Sequence, residues 1–386
     1  MFYQLPPAGE RILLKRDRRE SGREEALFSP YSARYYNSGT SALAAALKVA
    51  IAQSGKTAPE VLLPAYGCPD LVSAVLHAGA RPRLVDLAPD RPWLDLNQLR
   101  SAIGANTVAV VAVDLFGIPE RHSEIRSLLK MHGVLLIQDS AQSLPRPETG
   151  QWQGDYVILS FGRGKPVSLL GGGAVLYRDA ALGTALPERH ALPSLWSAEI
   201  RFRLKALAYN ALVSPFLYWL PASLPFLRLG ATRFKPMDAI IGADPVSEQF
   251  LPENVRAYWI RPAVAQSRLT EIFSLLDSKR ILDLFRACCV SGQAPRLLRY
   301  PVLVQDPERR ESLYQAAGRK GLGLSKMYPA PLPAVPGLEG LFPETGDAYP
   351  NATAFSRQIL TFPVHRRVSE KDLLALRACL HRAISR

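Results

Sequence analysis

The chain has 386 residues, 48% of them hydrophobic, which excludes disorder of the whole chain and leaves room for two domains of ordinary size. Its formal net charge of +13 draws anions to the average surface, but the cations are scattered, as in "RPRL", "RFRLK" and "PERRES", without a nucleic-acid-binding motif, so no nucleic-acid partner is expected. Cys68, Cys288, Cys289 and Cys379 form no CxxC pair and no metal-type spacing with the histidines, and "MFYQLPPAGERILLKRD" lacks the apolar core of an export signal, which together point to a reducing cytoplasm and no metal.

From about Ala26 to Tyr177 helix-like and strand-like segments alternate. "SALAAALKVAIA" reads as a helix, "EVLLPA" as a buried strand and "PDLVSAVLHAG" as a helix stopped by Gly79; "RPRLVDL" is a strand, "LDLNQLRSAI" a helix and "TVAVVAVDLFG" a strand. "SEIRSLLKMHG" is then a helix stopped by Gly133, and "VLLIQD" and "YVILSF" are strands. Such alternation of apolar runs with helices predicts a mostly parallel sheet covered on both faces, with ligands at the carboxyl ends of the strands. Asp139 falls at one such end.

Residues 206–227, "ALAYNALVSPFLYWLPASLPFL", carry no charge and are flanked by "RFRLK" and Arg228. Pro215, Pro221 and Pro225 break the stretch too often for a spanning helix. Two uses stay open: a patch lying in a membrane interface, with Tyr209, Tyr218 and Trp219 at headgroup level, or a buried insertion or dimer contact. From residue 246 onward a smaller α+β domain is expected, residues 1–245 forming the N-terminal arm and large domain. It is read as a long helix "VAQSRLTEIFSLLDSKRILDLFRACC", the strand "RYPVLV", a helix at "PERRESLYQAAGRKG", a strand "GLSKMYP" and a final helix "SEKDLLALRACLHRAI".

Three features carry chemistry. Ser38, Gly39, Thr40 and Ser41 precede an alanine-rich helix, so small residues meet a positive helix end; this is an anion site, or plain N-capping. Asp139 ends a strand inside a sheet, where a carboxylate needs a positive partner. Lys165 follows the next strand inside "GRGK", where Gly162 and Gly164 let the backbone approach a ligand. A phosphate site, a buried acid and a lysine together are what a pyridoxal 5'-phosphate enzyme needs: the lysine for the Schiff base, the acid to keep the pyridine nitrogen protonated, the helix end for the phosphate.

The segments "NSGTSAL", "LLPAYG", "AGARPRLVDL", "GVLLIQDSAQS", "GDYVILSFGRGKPVSLLGGGAVLYRD", "KMYPAPLP" and "LTFPVHRRVSEKDLLAL" occur in the order found in the DegT/DnrJ/EryC/StrS family of sugar aminotransferases, which the chain resembles over most of residues 30–180 and again from about 322 to the end. The resemblance implies an α/β chain of the type I pyridoxal phosphate fold, with a large, mostly parallel seven-stranded sheet domain and a smaller C-terminal α+β domain. It implies Lys165 as the Schiff-base lysine, Asp139 as partner of the pyridine nitrogen, Gln142 near the phenolic oxygen, and Ser160, Gly39, Thr40 and Ser41 around the phosphate. The ring-stacking position falls by spacing on Cys68, with Tyr66 two residues earlier. Tyr258 and Arg261 match the family's signature that reaches the partner's cofactor in a homodimer, although its asparagine is missing here. The implied reaction moves an amino group from a donor, by family expectation glutamate, to a nucleotide-linked keto sugar in cell-surface polysaccharide or lipopolysaccharide synthesis. Sugar dehydratases of the same fold carry histidine in place of the lysine. A catalytically diverged membrane-surface scaffold is the reading from another class.

Overall fold

The computed structural model describes residues 3–16, 27–187, 196–224, 230–276, 280–289, 294–342 and 348–384. Seven strands form the main sheet: β1 (Ser32–Tyr36), β2 (Glu60–Pro64), β3 (Arg81–Val85), β4 (Thr107–Val113), β5 (Leu135–Asp139), β6 (Tyr156–Ser160) and β7 (Gly173–Tyr177), in the order β1-β7-β6-β5-β4-β2-β3. The strands β6, β5, β4, β2 and β3 run parallel, while β7 is antiparallel to β6 and β1 to β7. The apolar runs are continuous because both faces are covered. Every residue of β4 is buried, with the helices Gly39–Ser54 and Asp70–Ala78 in the core of one face and Leu96–Ala102 and His122–Lys130 in that of the other.

The smaller sheet holds β8 (Ile281–Asp283), β9 (Arg299–Val304) and β10 (Ile359–Pro363), antiparallel in the order β10-β9-β8. Two expectations are corrected here. The long helix expected over 264–289 stops at Ser274; Ile281–Asp283 instead pairs with β9, and Asp283 caps a new short helix by accepting from the Arg286 N–H while also accepting from the Tyr300 hydroxyl. The strand expected at "GLSKMYP" is one isolated bridge, Ser325 to Thr361, because Gly323 and Tyr328 take left-handed conformations that leave the ladder. The helices Pro307–Gly318 and Glu370–Ile384 are as expected.

The arm of residues 3–16 ties the parts together. Its Leu5 N–H donates to Gly321 O at 2.7 Å, the His365 ring meets Pro6 O at 2.8 Å, and the Ile12 and Leu13 N–H groups donate to Asn210 and Asn254. A Cβ at Gly321 would lie 2.3 Å from Tyr3 O, so only glycine admits the arm there. The helix Leu251–Ile260 packs through Leu251, Val255 and Tyr258 into the cluster that also holds β6 and β7 residues.

Candidate active site

The site grows from the carboxyl ends of β5 and β6. Asp139 is 8% exposed, and the one hydrogen bond to its carboxylate among the described residues is from the Ala141 N–H to Oδ1 at 2.9 Å. Burial pushes its carboxyl above the usual range, opposed by the positive charge of Lys165. The other carboxylate oxygen has no partner among the described residues, and a cationic N–H on a ligand would satisfy it. Lys165 lies in the turn between β6 and β7, entered through Gly164 at φ +74°, and its amine has no ion-pair partner among the described residues.

Opposite stands the start of the helix Gly39–Ser54. The antiparallel edge β1–β7 brings it there: a Cβ at Gly173 would lie 2.5 Å from the Gly39 nitrogen, and a Cβ at Gly39 would lie 2.8 Å from that of Ser160. Glycine at both places is therefore required by close packing. Gly39, Thr40, Cys68, Asp139, Ser160 and Lys165 line one cleft of about 70 Å³. Ser41 is spent on the cap, its N–H bonded to Ser38 Oγ and its hydroxyl to Asn37, and it is not on the cleft wall. The positive end of a 16-residue helix, a serine and a glycine cradle fit a phosphate, and the orphaned acid fits a pyridinium.

Gln142 is buried with its amide orientation fixed: Oε1 accepts from the Phe116 N–H at 2.9 Å and Nε2 donates to the Tyr328 hydroxyl at 3.2 Å. Tyr66 is fully buried, its hydroxyl donated to Met327 O and its ring edge-on to Tyr328 and Phe355. It stands behind the wall that Cys68 lines; burial holds the Cys68 thiol up at about 12, so it remains a neutral, small wall residue. Tyr328 was absent from the residues expected at the site, though it lies in the "KMYPAPLP" motif.

Tyr258 and Arg261 border, with Lys165 of the same chain, a second cavity of about 20 Å³. Arg261 is ion-paired there with Glu10 of the N-terminal arm, and the buried Tyr258 hydroxyl has no partner among the described residues. Burial holds that hydroxyl up at about 12, within reach of the Arg296 and Arg261 charges. Glu10 and His365 also line this cavity; neither was among the residues expected at the site, though His365 lies in the "LTFPVHRRVSEKDLLAL" motif.

The uncharged stretch begins inside the helix Trp196–Leu212 and continues into turns and the short helix Trp219–Ala222; residues 225–227 lie outside the described residues. Among the described residues, no helix is long and apolar enough to cross a membrane. Phe202, Ala206 and Val213 are buried, while Leu204, Leu207, Leu212, Phe216, Leu217 and Leu220 are exposed, Phe216 to 68%.

Residues 31–210 match the sequence profile of the DegT/DnrJ/EryC1/StrS aminotransferase family. A UDP-N-acetyl-3-dehydro-alpha-D-glucosamine 3-aminotransferase of Acidithiobacillus ferrooxidans is 33% identical over 149 residues, which is 38% of this chain and 40% of that protein. A dTDP-3-amino-3,4,6-trideoxy-alpha-D-glucose transaminase of Streptomyces venezuelae is 26% identical over 85% of this chain and 76% of its own length. The chain thus spans about two fifths of the former relative and three quarters of the latter. Among solved structures, S. venezuelae DesV superposes with a TM-score of 0.67 at 22% identity over 94% of this chain and 87% of its own. Helicobacter pylori PseC, described as an aminotransferase involved in the biosynthesis of pseudoaminic acid, gives 0.67 at 14% identity over 99% of each chain. The fold is the one these aminotransferases share.

Proposed function

Because residues 31–210 match the profile of the DegT/DnrJ/EryC1/StrS aminotransferase family, we propose that this protein is a pyridoxal phosphate-dependent aminotransferase that passes an amino group from an amino-acid donor such as glutamate to a nucleotide-linked keto sugar in cell-surface polysaccharide synthesis. The observation that carries the reading is the shared cleft: an orphaned Asp139 carboxylate and an unpaired Lys165 amine face it together with Ser160 and the start of the helix Gly39–Ser54. Asp139 would hold the ring nitrogen of the cofactor protonated, Ser160, Gly39 and Thr40 would hold its phosphate, and Lys165 would hold it in place through Nζ. When bound, the cofactor supplies an electron-withdrawing ring that acidifies the neighbouring C–H of an amino acid. Lys165 Nζ would take that proton and return it. The relatives act, by their names, on UDP- and dTDP-linked sugars, and the charge of +13 suits such anions. Retention of both Asp139 and Lys165 speaks against the scaffold reading, and a lysine at position 165 against the dehydratases.

We also propose that the protein is a homodimer that rests on the cytoplasmic face of the membrane. The exposed apolar stripe with Arg201 and Lys205 beside it supports that contact. The enzyme reading is tested by the visible absorption of the purified protein and by borohydride reduction: the reduced adduct is expected on Lys165. Its recovery on another lysine, or a protein that takes up no cofactor, overturns the assignment.

A further inference from the structure

Two neighbouring parallel strands, β4 and β5, each run out into an aspartate. In their register Val113 stands opposite Asp139, so Asp114 lies one step past the one and Ser140 one step past the other. Successive side chains of a strand leave opposite faces. Ile137 packs in the core that holds the helix Gly39–Ser54, and Leu136 in the core that holds His122–Lys130; Asp139 continues the first face, Gln138 and Ser140 the second.

Asp114 belongs to that second face. It is 1% exposed, and among the described residues its carboxylate takes four donors. The His122 ring donates through Nε2 to Oδ1 at 2.7 Å and the Glu120 N–H to the same oxygen at 3.1 Å. The Ser140 hydroxyl donates to Oδ2 at 2.5 Å and the Gln138 amide at 3.0 Å. These last two are the residues on either side of Asp139. Its main chain is a third point of contact, because the Asp114 N–H donates to Asp139 O at 3.0 Å. The grip is anchored beyond β5: Gln138 Oε1 accepts from the Gln153 and Gly154 N–H groups, and the Ser140 N–H donates to Ile158 O of β6.

A buried carboxylate is costly unless its hydrogen bonds are complete, and a completed network rigidifies what it holds. Burial alone would push the Asp114 carboxyl up, but attraction to His122 and the hydrogen bonds from His122, Ser140 and Gln138 hold it below the usual carboxylate range. Asp139 is the opposite case, with one donor on its carboxylate and a place on the cleft wall. A saturated acid thus stands behind an unsaturated one. If Asp114 served only the turn into the helix His122–Lys130, the contacts of Oδ1 would suffice; those of Oδ2 serve the end of β5.

We propose that Asp114, acting through Ser140 and Gln138, is a positioning residue for Asp139: it holds β5 on both sides of that residue and so aims the free carboxylate oxygen at the protonated ring nitrogen of a bound heterocycle. The proposal rests on the aminotransferase reading, which supplies the pyridine ring. Asp114 does not line the cleft and does not touch the ligand. A charge-assisted N–H to carboxylate bond is short and direction-dependent, so a loosened strand end weakens it. The phosphate end is held from elsewhere, by Ser160 and the start of the helix Gly39–Ser54, and is independent of this grip.

The test is equilibrium titration of the full chain, freed of cofactor, with pyridoxal 5'-phosphate and with its 1-deaza analogue, in which carbon replaces the ring nitrogen. Asp114→Asn is expected to weaken pyridoxal phosphate about tenfold and Ser140→Ala about threefold, whereas the analogue, which offers Asp139 no N–H, changes by less than about twofold in either. In an Asp139→Asn background neither substitution is expected to add a further loss, because the bond they aim is already gone. Equal weakening of both ligands overturns the proposal in favour of a structural role that loosens the whole cleft. Unchanged pyridoxal phosphate affinity in Asp114→Asn, or in Ser140→Ala should the asparagine variant not fold, overturns it too, as does a further loss on top of Asp139→Asn. A parent protein that binds neither ligand sinks the aminotransferase reading itself, whereas a parent that binds both, with the variants weakened alike, sinks only the positioning role.

Discussion

The strand β4 and the helix Trp196–Leu212 are both rich in apolar residues, and the fold treats them in opposite ways. All of "TVAVVAV" is buried, because β4 lies inside a parallel sheet with helices on either face. In the helix, Phe202 and Ala206, four positions apart, enter the cluster around Phe250, while Ile200, Leu204 and Leu207 follow the same repeat on the outer side into solvent. A helix apolar on both sides ordinarily has a partner on both. The described residues supply only one of them. The contrast teaches that an apolar run states how much surface must be covered, whereas the topology decides whether the chain itself covers it.

The two regions also divide the work, and the largest expected effect falls on the sheet side. Asp139→Asn keeps the shape at the end of β5 but removes the charge, so turnover is expected to fall about a thousandfold while the melting temperature stays within a few degrees and cofactor uptake persists. A steady-state assay with spectroscopic titration of the cofactor checks this, and near-normal turnover refutes the role given to Asp139. Substitutions on the outer side of the helix are expected to leave turnover in solution unchanged.

Stability gives the next contrast. Leu62 of β2, next to β4, is fully buried, and Leu62→Ala is expected to cost about 2–5 kcal/mol from lost contacts and the cavity left behind. Leu207→Ala, at a position 55% exposed, is expected to stay within about 0.5 kcal/mol of the parent. Urea unfolding of both measures the difference directly. A loss of more than about 1 kcal/mol in Leu207→Ala would mean that the outer side is covered by protein, since surface changes away from such features rarely reach that size.

The sheet was legible because its strands announce themselves as short apolar runs ending in polar residues, and two such ends, at Asp139 and before Lys165, carry the residues that face the cleft. What stayed hidden depended on distant partners. The periodicity of residues 264–289 continues as if helical through Ile281–Asp283, and only pairing with β9 turns that piece into a strand. The Gln142–Tyr328 hydrogen bond follows from a left-handed backbone and joins residues 186 positions apart, neither of which leaves a mark on neighbouring residues. Likewise the Arg261–Glu10 pair joins the arm to a helix end far along the chain, so no local pattern could assign it. Composition did flag residues 206–227 as unusual, but which side of the helix stays uncovered was fixed by the packing of Phe202 and Ala206.

The smallest effect on the fold and the sharpest on location is expected from Leu207, Phe216 and Leu220, which lie on the exposed surface of the helix and the following turn. Each side chain moved from water into acyl chains contributes about 1.5–3 kcal/mol, and each lysine or arginine at an anionic surface about 1 kcal/mol. Arg201 and Lys205 are exposed on the same helix, while Glu199 is already engaged by Arg203 and Arg16 and so opposes them little. The parent protein is therefore expected to float with vesicles containing phosphatidylserine and to be released as salt screens the cations. The Leu207→Ser, Phe216→Ser, Leu220→Ser triple variant is expected to stay at the bottom of the gradient with its melting temperature and dimer intact, because none of the three side chains is buried within the chain. A parent protein that does not float removes the membrane from the account. A triple variant that falls apart as a dimer assigns the outer side of the helix to the partner subunit, and the unmatched side of the contrast with β4 is then closed by protein and not by lipid.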